Sequence, residues 1–531
     1  MLPLIDIVVI IVYLIGMLVI GYVSGKDNET QEDYLLAGRS MPWLPISLSI
    51  TATMISANAL IGGPGWAYTS GMKPFMVNIT VPLAVFFAVY VTAPVIYHLR
   101  VTSIYEYMEF RLGGFTRNLT VAQFFINSLI QVSSMVFIPS LILQTITGWS
   151  IVVIVPIIVL ISIIYTLLGG IKAVIWTDTV QTLVVISAVI LSIYIPLKYL
   201  NLSFFDTLDI AKAAGKFNTL DFTFDLNTEN TFYAAIFGGT IMWSRYFCFD
   251  QAQIQRILTA KSIKGVKRSL TSSAILMNVM YYFMLLIGLF LWVFYDGKPF
   301  ENSNQVMINF IIDKVPVGIT GLIIAGTFAA AMSSVDSLLN SMTTVFIKDI
   351  YEKYFYKEKD EVSLKTTMTI SSILGIIIIF IVIFAFGNTV KSVLDIVGKY
   401  ISYFTGPACA AFILAMFTKK ANDKGVASGF VLGFISSYFL INQLKTFWLW
   451  NSAIGCLITF ILGYGFSFIF KNDKTLEEIS NYTAMGMRKY LIKNNDLQED
   501  GASIVPFKLD KYGIIILGFF LLQFVILALL S

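Results

Sequence analysis

The chain has 531 residues, 57% hydrophobic and only 13% charged, too little charge to cover a water-soluble protein of that length. A formal charge of +4 reflects loop bias and gives no support to a nucleic-acid partner. Cys248, Cys409 and Cys456 lie in apolar stretches and the single histidine, His98, sits beside Arg100, so neither a disulfide framework nor a zinc cluster is indicated.

Apolar runs of bilayer length, about 20 residues each, recur from end to end. They predict an all-α polytopic membrane protein with about 14 transmembrane helices. The first run, 3–24, lacks a basic n-region and a small-residue cleavage site, and is expected to be a retained span rather than a signal peptide. With its cytoplasmic loop it makes a leading segment, 1–43. A first block over 44–197 carries spans at 44–70, 74–98, 119–146, 150–169 and 173–197. A polar, partly helical loop, 198–230, leads to a second block over 231–418, with spans at 231–252, 270–295, 316–346, 366–387 and 394–418. Residues 419–531 hold three trailing spans, 424–441, 447–470 and 511–530, and a polar loop at 471–510.

Lysine and arginine concentrate in alternate loops, among them the cluster Arg256, Lys261, Lys264, Lys267 and Arg268. The positive-inside rule then places those loops in the cytoplasm of a cell-membrane protein, with both termini outside. No GxxxxGK[ST], HExxH, GxSxG or CxxC occurs, which argues against ATP-driven pumping and against a membrane enzyme.

Two spans are interrupted. The second reads "WLPISLSITATMISANALIGGPGWAYTSGM", rich in hydroxyls and broken by "GGPG". Backbone groups freed in this way inside a membrane need partners, either packed neighbours or a bound cation. The seventh span, "AAIFGGTIMWSRYFCFDQAQIQR", has its own Gly-Gly pair and carries Arg245, Asp250 and Gln251. Interruptions at corresponding places in successive five-helix blocks are the mark of an inverted-repeat transporter.

Two carboxylates, Asp178 and Asp336, fall inside spans at similar depth. A lone Asp there costs about 2.5–3.5 kcal/mol. Ser333, Asp336 and Ser337 share one helical face, an all-oxygen set that suits a hard cation such as Na⁺. Protonation, or hydrogen bonding to a neighbouring helix, is the alternative for either carboxylate.

The segments "DYLLAGRSMPWLPISLSITATMISA", "LLGGIKAVIWTDTVQ", "DQAQIQRILTAKS" and "FAAAMSSVDSLLNS" resemble the sodium:solute symporter family over about residues 30 to 420. Its members are sodium-coupled carriers of sugars, proline, pantothenate, sialic acid, iodide, monocarboxylates and vitamins. The resemblance implies the leucine-transporter-like 5+5 inverted-repeat fold, with Na⁺ as coupling ion. It implies a main sodium site built from the carbonyls of Ala52, Ile55 and Ala330 and the hydroxyls of Ser333 and Ser334. A second site would use Asp178, Ser333, Asp336 and Ser337, with Asp336 replacing a hydroxyl of several relatives. The sugar carriers' binding positions fall on Ala59, Asn78, Val81, Trp243 and Met277, a poor set for a hexose. Ser56 matches a carboxylate-binding hydroxyl of the sialic acid carriers, while Gln131 stands where their arginine would be. Arg245 would suit an anion, or pair with Asp250. With Tyr246 these give a candidate substrate set of Ser56, Asn78, Gln131, Trp243, Arg245 and Tyr246. The expected function is sodium-driven import of a small organic anion such as sialic acid or a monocarboxylate. A sugar, amino-acid or vitamin symporter, or a non-transporting sensor of the same fold, is the alternative.

Overall fold

The computed structural model describes residues 2–356, 362–386 and 393–531; the parts of the second block at 357–361 and 387–392 lie outside them. Among the described residues the regular structure is helical, apart from one two-residue hairpin pairing Gln498–Glu499 with Ala502–Ser503 and a single parallel bridge between Met41 and Ala260. In chain order the main helices are α1 (Leu4–Gly25), α2 (Trp43–Met54), α3 (Ala57–Ser70), α4 (Lys73–Leu99), α5 (Gly114–Thr147) and α6 (Ile151–Leu200). They continue with α7 (Thr240–Phe249), α8 (Gln251–Leu258), α9 (Ile263–Phe294), α10 (Ile319–Val345), α11 (Leu364–Phe386) and α12 (Val393–Phe417). The trailing helices are α13 (Asp423–Leu444), α14 (Trp448–Ile469) and α15 (Lys511–Leu530).

Among the described residues, 10 helices are long and apolar enough to cross a membrane, or up to 11 if the bent pair α2 and α3 counts as one span. The expected 14 differs for identifiable reasons. Helix α6 runs through two expected spans, yet Gly170 at φ 56°, ψ −149° breaks it. Asp336 meets Tyr165 from one arm, while its neighbour Ser337 shares Arg256 with Asp178 from the other. Residues 13 apart on a straight helix would be about 20 Å apart. The seventh span is cut into a π-turn, Ala234–Gly239, and the ten residues of α7. The fifth span of the second block passes only as the shorter Ile401–Phe417.

Burial sorts the helices. The apolar window of the α10 span is 94% buried and that of α1 only 22%, so α10 is the centre of the bundle and α1 a lipid-facing neighbour. Val8, Val12, Ile15 and Val19 are exposed along α1. The inner face of α1 buries Asp6, whose Oδ1 accepts the N–H groups of Gly318 (2.6 Å) and Gly321 (2.7 Å). The leading helix thereby caps the start of α10, satisfying amides that a helix leaves unpaired. Between α13 and α14 the contact is backbone to backbone. A Cβ on Gly429 would lie 2.2 Å from the Cα of Gly463, and one on Gly433 2.2 Å from Thr459 Oγ1. Small residues four apart allow this approach, the membrane solution to helix packing.

Candidate functional site

The first break is at Ile55 and Ser56, and the GGPG stretch lies within α3. Helix α2 ends with the Ile55 N–H on the Thr51 carbonyl (3.0 Å), and both Ile55 and Ser56 are extended before α3 begins at a 57° bend. Threonines at 51 and 53 return their hydroxyls to carbonyls four residues back, a habit that weakens a helix. The GGPG residues serve packing instead. A Cβ on Gly65 would lie 2.2 Å from the Ser303 carbonyl oxygen, and the Pro64 carbonyl abuts Gly288. The second interruption has two parts, the π-turn with Gly238 and an extended Asp250 between α7 and α8.

At the first break the helical ladder of α2 stops before reaching the carbonyl of Ala52, which accepts instead the hydroxyl of Ser333 on α10 (3.2 Å). Ala52, Ile55, Ala330 and Ser333 surround a cavity of about 10 Å³ together with Gln181 and Thr182 of α6, space for about one water-sized particle. Four of the five groups expected at the main sodium site are thus brought together. The fifth, Ser334, gives its hydroxyl to the Ala330 carbonyl (3.2 Å) and does not line that cavity. Carbonyl and hydroxyl oxygens around a space of this size fit a hard monovalent cation.

One turn further along α10 the chemistry changes. Asp178 and Asp336 are fully buried, and so is Arg256. Sequence reasoning put Arg256 in a cytoplasmic loop; the structure puts it on α8 inside the bundle, because Ile254, Ile257 and Leu258 around it are core residues. Its guanidinium donates to Asp178 Oδ2 (3.1 Å), to Ser49 Oγ (2.7 Å), to the Ala252 carbonyl (2.6 Å) and to Ser337 Oγ. Ser49 completes the cradle with a 2.5 Å bond to Asp178 Oδ2. Asp336 Oδ2 accepts from Tyr165 (2.6 Å), and Ser337 sits 3.2 Å from Oδ1 and 2.9 Å from Thr53 Oγ1. The cation next to Asp178 is therefore the protein's own. Asp178 Oδ1 has no hydrogen-bond partner among the described residues.

Beside the small cavity is a larger one, about 280 Å³, also lined by Ile55. Of the candidate substrate residues it gathers Ser56, Asn78, Gln131, Trp243 and Tyr246, with Ala59 and Met277; Val81 and Arg245 are not on its wall. Arg245 is paired with Asp250 at 2.8 Å and stacked 4.8 Å over the Tyr246 ring, so of its two expected roles the structure shows the pairing. Gln131 Oε1 is buried without a partner among the described residues. Two further wall residues, Trp448 and Ser452, carry no signal in the sequence and come from α14, outside the two five-helix blocks. Arg256 had one legible signal, its apolar flanks.

Comparison with known proteins adds an independent line. A family model described as the sodium:solute symporter family matches residues 34–433. The chain is 30% identical to the sodium/sialic acid symporter SiaT of Proteus mirabilis (strain HI4320) over 80% of its own length and 87% of the relative's. It is 28% identical to sodium-coupled monocarboxylate transporter 1 of Mus musculus, over 78% of this chain and 69% of that protein. Among solved structures, a substrate-bound, outward-open Na⁺-coupled sialic acid symporter superposes with a TM-score of 0.80 at 27% identity, covering 89% of this chain and 99% of that one.

Proposed function

Because this chain belongs to the sodium:solute symporter family, we propose that it imports a small organic anion together with sodium by alternating access. The observation that carries the reading is the pair of adjoining cavities sharing Ile55, one of ion size and one of solute size. Sodium at Ala52, Ile55, Ala330 and Ser333 would tie the broken α2–α3 helix to α10. The break then has a preferred geometry when the solute arrives next to it, which is how ion binding favours solute binding without touching the solute. Ser56 stands at the start of α3 with no side-chain bond to its own helix. Its hydroxyl and the unpaired amides of the first turn offer donors to a carboxylate.

In this reading residues 44–197 and 231–418 are the inverted repeats that rock against each other. The lysine- and arginine-rich loops face the cytoplasm of a cell membrane and both termini lie outside. The unpartnered Asp178 Oδ1 favours a second cation there, whereas the guanidinium already holding Asp178 and Ser337 takes two of its expected ligands.

The test is uptake by proteoliposomes under an imposed inward sodium gradient. Accumulation of a carboxylate solute is expected, and none when potassium replaces sodium. Equal uptake in both salts would defeat the proposal.

A further inference from the structure

The large cavity is chemically one-sided. Among its 18 wall residues are four methionines, Met54, Met135, Met242 and Met277, and four tryptophans or tyrosines; none is Asp, Glu, Lys, Arg or His. Two of the six polar residues are already engaged: Thr405 donates to the Ile401 carbonyl (2.9 Å) and Ser402 accepts from Asn451 (2.9 Å). The directional chemistry left for a solute rests on Ser56, Asn78, Gln131 and Ser452, with the Tyr246 and Tyr281 hydroxyls and the Trp448 indole N–H at the rims of flat apolar rings. Polarizable, adaptable methionine and flat aromatic faces suit an apolar body. A polyhydroxylated solute would bring more donors and acceptors than this wall can match, and each one left unmatched weakens binding. The volume, about 280 Å³, lies just under the roughly 300–1,000 Å³ usual for drug-sized ligands, so the solute is compact.

Charge narrows the class further. The nearest guanidinium, Arg245, is neutralised by Asp250, so the cavity wall supplies no counter-charge to an anion. Ile55 is common to both cavities, which makes sodium at the small one the adjacent positive charge.

The α14 helix contributes the last feature. Trp448 and Ser452 are four apart, hence on one face. The start of α14 is fastened in place. Gly238 in the π-turn lets the Leu449 carbonyl approach to 2.1 Å from where a Cβ would be, Phe447 donates to the Leu226 carbonyl (2.8 Å), and Trp450 stacks on Phe237 at 6.1 Å. Contacts on both sides of Trp448 fix the backbone that carries its indole to the cavity wall.

We infer that the solute is a compact monocarboxylate with an apolar alkyl or aryl body, its charge balanced by the adjacent sodium and its body read in part by Trp448. This rests on the symport reading above and selects within it, against sialic acid. The full-length protein in nanodiscs is titrated with four probes in sodium and in potassium: benzoate, benzamide, N-acetylneuraminate and glucose, followed by calorimetry and thermal shift. Benzoate is expected to bind in sodium at least tenfold more tightly than in potassium, and at least tenfold more tightly than the other three. Trp448→Ala should weaken benzoate at least tenfold and Trp448→Phe less than threefold, with the sodium-only thermal shift unchanged in both. N-acetylneuraminate, glucose or benzamide binding in sodium as tightly as benzoate overturns the inference, as does an unaltered benzoate affinity in Trp448→Ala. Silence of all four probes in sodium also overturns the inference, while the absence of any sodium-dependent thermal shift would instead count against the symport reading itself.

Discussion

Two oxygen-rich regions lie one turn apart on α10, and they are built on opposite plans. Around Ser333 every donor is neutral, the groups come from a helix break, and a small cavity remains between them. Around Asp336 and Ser337 lies an ion pair, and its Arg256 guanidinium is locked among Ser49, Asp178, Ala252 and Ser337. A guanidinium does not deprotonate or leave. The first plan suits an ion that must come and go in every cycle. The second suits a permanent joint, drawing α2, α6, α8 and α10 together beside the small cavity. They meet through Ser337, whose hydroxyl also reaches the Ser333 carbonyl.

The comparison is broken most violently at the joint. Arg256→Gln leaves Asp178 buried without its counter-ion, a loss of about 3–5 kcal/mol. A large drop in melting temperature and poor recovery from the membrane are expected. Adding Asp178→Asn should restore much of the loss, because the uncompensated charge is then gone. If the single variant melts like the wild type, Arg256 does not balance Asp178, and an exchangeable ion must do so.

A smaller and more selective effect is expected at the ion site. Ser333→Ala removes a hydroxyl from the wall of the proposed sodium site, where a hydrogen-bonding group beside a charge is worth about 1.5–3 kcal/mol, or roughly a ten- to hundredfold rise in the sodium concentration that half-saturates uptake. Ser334→Ala should do less, since that hydroxyl is turned onto the Ala330 carbonyl. Both should melt near the wild-type temperature. A larger defect in Ser334→Ala would reverse the assignment of the two hydroxyls.

These regions were unequally legible in the sequence. Serines at 333 and 337 declare a shared face through the helical period, and motif resemblance located the carbonyls of Ala52 and Ile55. The break itself was read from GGPG and misplaced, because glycine and proline report a missing Cβ or N–H without saying whether the space serves a break or a close contact. At 62–65 it serves contact with Ser303 and Gly288. The Arg256–Asp178 pair joins positions 78 residues apart, and an arginine near four other basic residues reads as loop until packing shows otherwise. Nothing in α14 marks Trp448 as a wall residue. Its role is created by where the π-turn of the second block lets that helix start.

The smallest effect separates the two plans by pH. Glu106 lies outside the membrane-spanning helices, closing the capping box of Ile104–Arg111 by accepting from the Ser103 N–H (3.1 Å). Burial, and next the nearby Asp349 carboxylate, push its pKa up to about 7 from 4.5. A carboxyl raised on folding holds its proton more tightly in the native state, so its contribution to stability is complete below about pH 4.5 and fades as pH rises through 7. Melting temperature should therefore fall modestly between pH 5 and pH 8, and Glu106→Gln, which keeps a hydrogen-bond acceptor but cannot ionise, should flatten that slope. Sodium affinity at the neutral Ser333 site should be unaffected by the substitution. A slope that persists undiminished in Glu106→Gln would have to arise elsewhere, and the joint on α10, with two buried carboxyl groups beside one guanidinium, is the place to look.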